Sequence, residues 1–358
     1  MEVDAAIVGA GPAGCAAAIR LAQAGASVVL FRRMEAFGPK PGEVISSLAR
    51  ETLSELGLLQ SFDTLGFPVL AGSISAWDEH LPTSRDGIVD PYGFGAIVDR
   101  HRFEDWLIAS ARQMGVSIQC SGRNLDVKPD RKGWRIETSD RETAVISPVV
   151  VEATGRSSGL LGKGRRVGTD SLVAILQYGR QDDVADQRML VEASAHGWWY
   201  AVPLPDNKAV IAFLTDADLL KKSAGSQRVF VEDELARTSL LREFSAQLIS
   251  RDYVCGYPAN SSIRECINGS TWVAIGDAAA TYDPLSGQGI STALAKGASI
   301  GRLLASGDKL SACLDAYADA ERQSFSAHLQ TQRATYSRAA PRFNSPFWTR
   351  RTVLDSSH

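Results

Sequence analysis

The sequence predicts an α/β protein: a Rossmann-type parallel sheet flanked by helices, into which a mainly antiparallel β-sheet is inserted. Three observations predict it. An apolar run at Ala5–Val8 leads through the glycine turn GAGPAG, Gly9–Gly14, into the alanine-rich helical pattern Cys15–Ala24. A second buried-strand pattern, Thr271–Ile275, leads through GDAAATYDPLSGQG, Gly276–Gly289, into another alanine-rich pattern at Ser291–Leu304. Between them, from about Val167 to Tyr257, the pattern becomes one of successive strands.

The first unit reads as strand Asp4–Val8, helix Cys15–Ala24 and strand Ser27–Phe31, a compact βαβ element. Gly9 allows the tight turn, Gly11 lets backbone approach a pyrophosphate, and Gly14 lets helix pack on strand. An anion there meets the free N–H groups and the positive end of the helix dipole. An acidic residue usually ends the second strand of such a unit and binds the ribose hydroxyls. Here the run is VVLFRRME, Arg32 holds that position, and Glu35 follows three residues later.

Together, the two glycine stretches resemble the glutathione-reductase-type FAD proteins, specifically the aromatic hydroxylase and flavin-dependent halogenase branch. The resemblance implies FAD as cofactor, with Gly276 and Asp277 at the ribityl chain and Pro284 beside the isoalloxazine ring. It places the turn Gly287, Gln288, Gly289 and its helix at the pyrimidine end of the ring. A helix N-terminus there stabilises negative charge on the reduced ring. Arg32 in place of a carboxylate at the ribose end of the cofactor site predicts FAD held less firmly than is usual in this family.

Three further segments carry the resemblance. GPKPGEVISS, Gly38–Ser47, is similar to the loop that passes close to the flavin in halogenase-like proteins, which places Lys40 and Glu43 near the cofactor. A solvated loop with a helix-capping glutamate is the alternative. VDRHRFEDWLIASARQMG, Val98–Gly115, reads as an amphipathic helix with Phe103, Leu107 and Ala111 on one stripe. It resembles the family's R-x-x-F/L helix, in which Arg100 would meet the FAD pyrophosphate through its planar fork; the bland reading is a surface arginine. Strand patterns at Val116–Cys120, Gly133–Thr138 and Val145–Val151 end in EATGRSSG. That resembles the turn returning the chain to the FAD domain, with Gly155 and Arg156 under the adenosine half, although a simple turn would also explain them.

In the inserted region, Leu172–Tyr178, Met189–Ala193, Trp198–Leu204 and Ala209–Leu214 read as strands, with Pro205–Lys208 as a hairpin turn. Side chains alternate along HGWWYAVPLP, His196–Pro205, so Trp198 and Tyr200 face one way and Trp199 the other. Trp199 reads as core. Trp198 and Tyr200 fit either a flat wall for an aromatic substrate or core. His196 is a candidate proton carrier, or a structural residue before a strand. The expected division is an FAD-binding domain at 1–70, 96–166 and 258–310, a substrate domain at 71–95 and 167–257, and a C-terminal helical tail at 311–358.

Composition narrows the field. With 358 residues, two intertwined domains are expected. A net charge of −3 and a pI near 6.0 make no electrostatic case for nucleic acid or an anionic membrane. The start MEVDAA lacks a basic, apolar leader, no apolar run is long enough to span a bilayer, and a cytoplasmic location is expected. The cysteines, Cys15, Cys120, Cys255, Cys266 and Cys313, are an odd five without a CxxC pair. That argues against a disulfide framework or a metal site. Cys15, directly after the glycine turn, reads as a small buried thiol.

The resemblance also suggests a reaction. WWYAVP is similar to the W-x-W-x-I-P of halogenases, with Tyr200 and Val202 substituted. Halogenases need a lysine in the strand after the loop, however, and none occurs between Lys40 and Lys128, which disfavours halogenation. One dinucleotide fingerprint leaves no separate NAD(P)H domain, so NAD(P)H visits transiently or a partner supplies electrons. The KPGE loop, WWYAVPLP, DPLSGQGI and the terminal FWTRR together resemble flavoproteins that mature quinone-cofactor enzymes by acting on tryptophan in a precursor protein. The resemblance therefore implies an FAD-dependent monooxygenase that oxygenates an aromatic, indole-type ring through a flavin hydroperoxide. Glu43, His196 and Tyr200 are the substrate-side candidates for catalysis. Hydroxylation of a free aromatic metabolite, a flavin oxidase or reductase without oxygen insertion, and a non-catalytic flavoprotein chaperone remain as alternatives.

Overall fold

The computed structural model describes residues 1–352 apart from 34–39, 79–80, 91, 122–124, 139–143, 158, 182–185, 223–225 and 254–255. Glu35, Gly38, Ser158, Cys255 and the last six positions lie outside the described residues.

A five-stranded parallel sheet forms the first layer, in the order Trp272–Ala274, Val150–Glu152, Ala5–Val8, Val28–Arg33, Ser117–Ser121. Its central strand, Ala5–Val8, is a continuous apolar run with every residue buried, as a parallel sheet covered on both faces requires. Helix Pro12–Gln23 packs against Gly289–Ala305 and Arg100–Gln113. The first contact is close: a Cβ on Gly297 would lie 2.1 Å from the carbonyl oxygen of Ala13. The helices that follow the two glycine turns therefore touch backbone to backbone.

The expected strand Val145–Val151 is two strands. Val145–Ser147 pairs antiparallel with Gly133–Thr138, while Val150–Glu152 enters the parallel sheet beside Ala5–Val8. Pro148, which has no N–H to give a ladder, stands between them.

The inserted layer is an eight-stranded sheet. Its core order is Ser250–Tyr253, Leu172–Arg180, Lys208–Asp216, Gly197–Leu204, Arg188–Ser194, Gly72–Ala76, Thr83–Asp86, with Tyr257–Pro258 also on Leu172–Arg180. Every pairing is antiparallel except Arg188–Ser194 with Gly72–Ala76. The three-residue turn between Gly197–Leu204 and Lys208–Asp216 has Asp206 and Asn207 in the left-handed region at φ of 60° and 56°, closed by the Lys208 N–H donating to the Pro205 carbonyl at 3.4 Å.

Alternation along Gly197–Leu204 sends neighbouring side chains into two different cores. Trp199 stacks on Phe213 at 4.4 Å and packs with Ile175, Ile211 and Leu241. Trp198 lies on the other face with Trp77 and Tyr336. The C-terminal helices Leu310–Ala339 and Pro346–Thr352 supply Tyr336, Ala339, Phe347 and Trp348 to this second core, so this end of the chain is part of the sheet's packing.

Candidate functional site

The first glycine turn is shaped by what its backbone must avoid. Gly9 adopts φ +113°, and a Cβ there would lie 2.1 Å from the carbonyl oxygen of Ala153; one on Gly14 would lie 1.9 Å from that of Gly9. Gly11 differs. It is extended, caps helix Pro12–Gln23, and a Cβ on it would meet nothing within 4 Å. The helix N-terminus thus opens onto free space at Gly11, the cradle that a pyrophosphate requires. Cys15 is buried just inside, its thiol donating to the carbonyl of Ala10 at 3.3 Å, and burial pushes its pKa up, away from thiolate chemistry.

Two cations converge beside this turn. Asp99 caps helix Arg100–Gln113 by accepting from the Arg102 N–H at 2.9 Å, which fixes the first turn that carries Arg100. Arg100 Nη2 pairs with the Glu104 carboxylate, Nη1 donates to the carbonyl of Pro41 at 3.3 Å, and Nε is buried with no hydrogen-bond partner among the described residues. Lys40 Nζ reaches the other Glu104 oxygen at 2.5 Å. Burial pushes the Glu104 carboxyl up, but the Arg100 and Lys40 charges outweigh it and leave the group below its ordinary value. The orphaned Arg100 Nε is a spare donor on the side of this cluster that faces the loop Lys40–Ser47. Glu104 went unnoticed in the sequence, although its i,i+4 spacing from Arg100 was a usable signal. Arg32, near the end of its strand, pairs with Asp105 at 2.7 Å on the surface; Glu35, the acidic residue three positions on, is outside the described residues.

The second stretch meets the first. Gly276, at φ +56°, would bring a Cβ to 3.0 Å from that of Ala13. Asp277 follows in a half-turn, its half-exposed carboxylate 3.6 Å from Arg156 Nε, while Arg166 Nη2 donates to its carbonyl at 2.7 Å. The turn Pro284–Ser286 leads to Gly287 in the left-handed region at φ +62°, then Gln288 caps helix Gly289–Ala305. Neither Gly287 nor Gly289 has anything within 4 Å of a built Cβ. The residues at both ends of the predicted cofactor site therefore surround open cradles and fit a flavin dinucleotide.

The Lys40–Ser47 loop lies against the helix start of the second stretch. Ser46 Oγ donates to Ser291 Oγ at 2.8 Å, and Gly42 lies against Arg100 and Ile290. Glu43 is not a solvated cap: it is 5 % exposed, and Ser47 precedes helix Leu48–Glu55. Its Oε1 accepts from the Tyr178 hydroxyl at 2.8 Å, and its Oε2 accepts from the Gly42 N–H at 3.1 Å and from the Tyr200 hydroxyl at 3.5 Å. Burial pushes the Glu43 carboxyl up despite Tyr178 and the Arg100 charge. It pushes both phenols up as well, reinforced by the Glu43 charge. The result is a carboxyl that can hold or release a proton between two neutral phenols.

Glu43 and Tyr200 are thus brought together, and Tyr178, which the sequence did not single out, joins them. His196 is not with them. Its Nδ1 bonds the buried Glu234 at 2.9 Å, its ring lies against Phe230 at 5.8 Å, and Glu234 also holds Arg237. His196 stands in the turn before the strand, four positions and about 13 Å of extended chain from Tyr200. Trp198 is 1 % exposed and its Nε1 donates to the Tyr336 hydroxyl at 2.8 Å, which makes it core and not a substrate wall. Among the described residues no three His, Cys, Asp or Glu side chains form a metal-binding group, and no helix is long and apolar enough to cross a membrane.

Residues 2–162 match the family model for the FAD binding domain. A Marinomonas mediterranea protein, LodB, assigned as an FAD-dependent oxidoreductase, is 26 % identical over 99 % of this chain and 98 % of its own length. The myxobacterial chondrochloren halogenase CndH superposes with a TM-score of 0.86 at 22 % identity, over 99 % of this chain and 87 % of that one. The peptidyl tryptophan dihydroxylase QhpG, essential for tryptophylquinone cofactor biogenesis, superposes with a TM-score of 0.79 at 23 % identity, over 100 % of this chain and 80 % of that one. At these identities the two structures establish a shared fold.

Proposed function

We propose that this chain, which matches the FAD binding domain over residues 2–162 and is similar along its whole length to an FAD-dependent oxidoreductase, is a monooxygenase of an electron-rich aromatic ring, and that the ring is an indole borne by a partner protein. The observation that carries the reading is the buried Glu43 carboxyl, bonded by Tyr178, on a loop that touches both the Arg100 side and the helix after the second glycine stretch.

Bound FAD, once reduced, supplies the activation of dioxygen. The chain's own residues do the rest. Gly9, Gly11 and Gly14 present the helix N-terminus to the pyrophosphate, and Arg100 and Lys40 neutralise it. Asp277, Pro284, Gly287, Gln288 and Gly289 hold and face the ring half. When one oxygen atom bonds to a ring carbon, that carbon must shed its proton. Glu43 accepts it, and the phenols of Tyr178 and Tyr200 orient the carboxylate that does so. The balance is one aromatic C–H, one dioxygen, two electrons and two protons in; one C–OH and one water out. The electrons come from NADH, NADPH or a reduced partner protein.

Two likenesses support a protein-borne indole: the overlap with a peptidyl tryptophan dihydroxylase, and the KPGE, WWYAVPLP and FWTRR segments. The test is turnover of FAD-loaded protein under labelled dioxygen, with NADH or NADPH, against free indoles and against a tryptophan-bearing partner protein. Label in the product of the partner protein alone supports the full reading. Label only in free indoles removes the partner. An unlabelled oxidised or reduced product shows an oxidase or reductase instead.

A further inference from the structure

Asp283 lies immediately before the turn that carries Pro284 and Gly287, yet the chemistry above does not use it. It is 1 % exposed. Its Oδ1 accepts from the Leu285 N–H at 2.9 Å, which closes that turn, and its own N–H donates to Ser261 Oγ at 3.0 Å. Its Oδ2 accepts from the Tyr336 hydroxyl at 2.7 Å and from Gln332 Nε2 at 2.8 Å, both on helix Leu310–Ala339. Tyr336 in turn accepts from Trp198 of the inserted sheet. One carboxylate therefore joins the turn, the C-terminal helix and, through Tyr336, the sheet.

We propose that Asp283 is a positioning residue: with Tyr336 and Gln332 it fixes the Pro284–Gly287 turn, and the charge on its carboxylate sets the reduction potential of the flavin that the turn faces. The inference rests on the flavin-binding reading but not on oxygenation. A buried negative charge acts at range in a medium of low dielectric constant, and it opposes the negative charge that a flavin gains on reduction. Burial pushes the Asp283 carboxyl up to about 6, with Asp170 adding to the rise and the Tyr336 and Gln332 donors opposing it. Among the described residues, Arg351 and Asp216 also stand near this cluster by way of Tyr336 and Asp170, and Arg156 donates to the carbonyl of the preceding residue, Tyr282, at 3.3 Å. Its charge therefore changes within an accessible range.

The experiment is the midpoint potential of bound FAD between pH 5 and pH 8 in the unaltered chain, Asp283→Asn and Tyr336→Phe. Asp283→Asn is expected to raise the potential at pH 8 and to converge with the unaltered chain at pH 5, where the carboxyl is already neutral. Tyr336→Phe, which removes a donor to the carboxylate, is expected to move the break in the unaltered profile to higher pH. Parallel profiles for both FAD-loaded variants overturn the proposal while leaving flavin binding intact. If Asp283→Asn does not take up FAD, an unmoved break in Tyr336→Phe overturns it alone. An unaltered chain that binds no FAD overturns the flavin reading, and this proposal with it. A purely structural role for Asp283 would move stability but not the pH dependence of the potential.

Discussion

The Tyr178 hydroxyl donates a 2.8 Å hydrogen bond to the buried carboxylate of Glu43, across the junction between the inserted sheet and the Lys40–Ser47 loop. Neither residue can make this bond until both layers have folded and docked. The carboxyl loses water in the process, and a single strong donor only partly offsets that loss. The group is left protonatable at a higher pH than an exposed glutamate, which suits a site that must accept one proton per turnover.

Glu43→Gln is therefore expected to lower turnover by about 10²–10⁴-fold, the usual range for loss of a general base, with FAD affinity nearly unchanged. In the unaltered chain, turnover should rise with pH through the elevated Glu43 value, and the variant should lose that limb. Tyr178→Phe removes a donor to the ionised form and should move the limb to higher pH. The stability effect has a definite sign: a carboxyl raised in the folded state favours folding at acid pH, and that contribution is lost as pH rises through its folded value. Glu43→Gln should accordingly raise the melting temperature more at pH 8 than at pH 5. A variant with full turnover would remove Glu43 from the chemistry.

Gly14→Ala puts a methyl 1.9 Å from a carbonyl oxygen of the backbone, with no flexible side chain to give way. The turn must open, and the helix N-terminus moves with it. FAD affinity measured by flavin fluorescence should fall by more than about 100-fold, since the turn and the dipole act on the same phosphate.

Arg32→Glu should do the reverse. The Arg32–Asp105 pair is exposed on both sides, and such pairs contribute about 0–1 kcal/mol. Replacing it with the ribose-binding carboxylate that this position usually holds should tighten FAD about tenfold, roughly one good charged hydrogen bond. Flavin retention after extended dialysis compares the two. If the unaltered chain already keeps stoichiometric flavin, weak adenosine binding is wrong.

The two glycine stretches were legible because their backbone constraints are written in residue identity: few residues other than glycine tolerate a φ of +113° with a carbonyl 2.1 Å from where Cβ would stand. Strand alternation through Trp198, Trp199 and Tyr200 was legible for a similar reason, since the period of two assigns each ring a face. What each face meets was not. Trp198 could read as a substrate wall because its partners, Trp77 and Tyr336, come from segments on either side of it in sequence, 121 and 138 positions distant. Tyr178 and Asp283 were invisible as functional residues on the same ground. A tyrosine in an apolar strand and an aspartate before a proline are ordinary locally, and only the fold brings them to Glu43 and Tyr336. His196 shows the converse, a conspicuous residue whose partner, Glu234, makes it structural.

Trp348 offers the sharpest test of how far the C-terminal end belongs to the site. It is 1 % exposed, donates to the carbonyl of Ser194 at 2.9 Å, and packs on Trp77 at 5.5 Å and Tyr336 at 5.7 Å. Trp348→Ala removes a large buried ring and leaves that carbonyl without its donor, so unfolding in urea should show a loss of about 3–5 kcal/mol. Trp348→Phe keeps most of the apolar contact and should lose less. Because Tyr336 is one of the residues that hold Asp283, the alanine variant should also loosen the Pro284–Gly287 turn, read as a change in flavin fluorescence quenching in FAD-loaded protein at a urea concentration too low to unfold it. A stability loss with unchanged quenching would confine Trp348 to the core and separate the C-terminal helices from the flavin side.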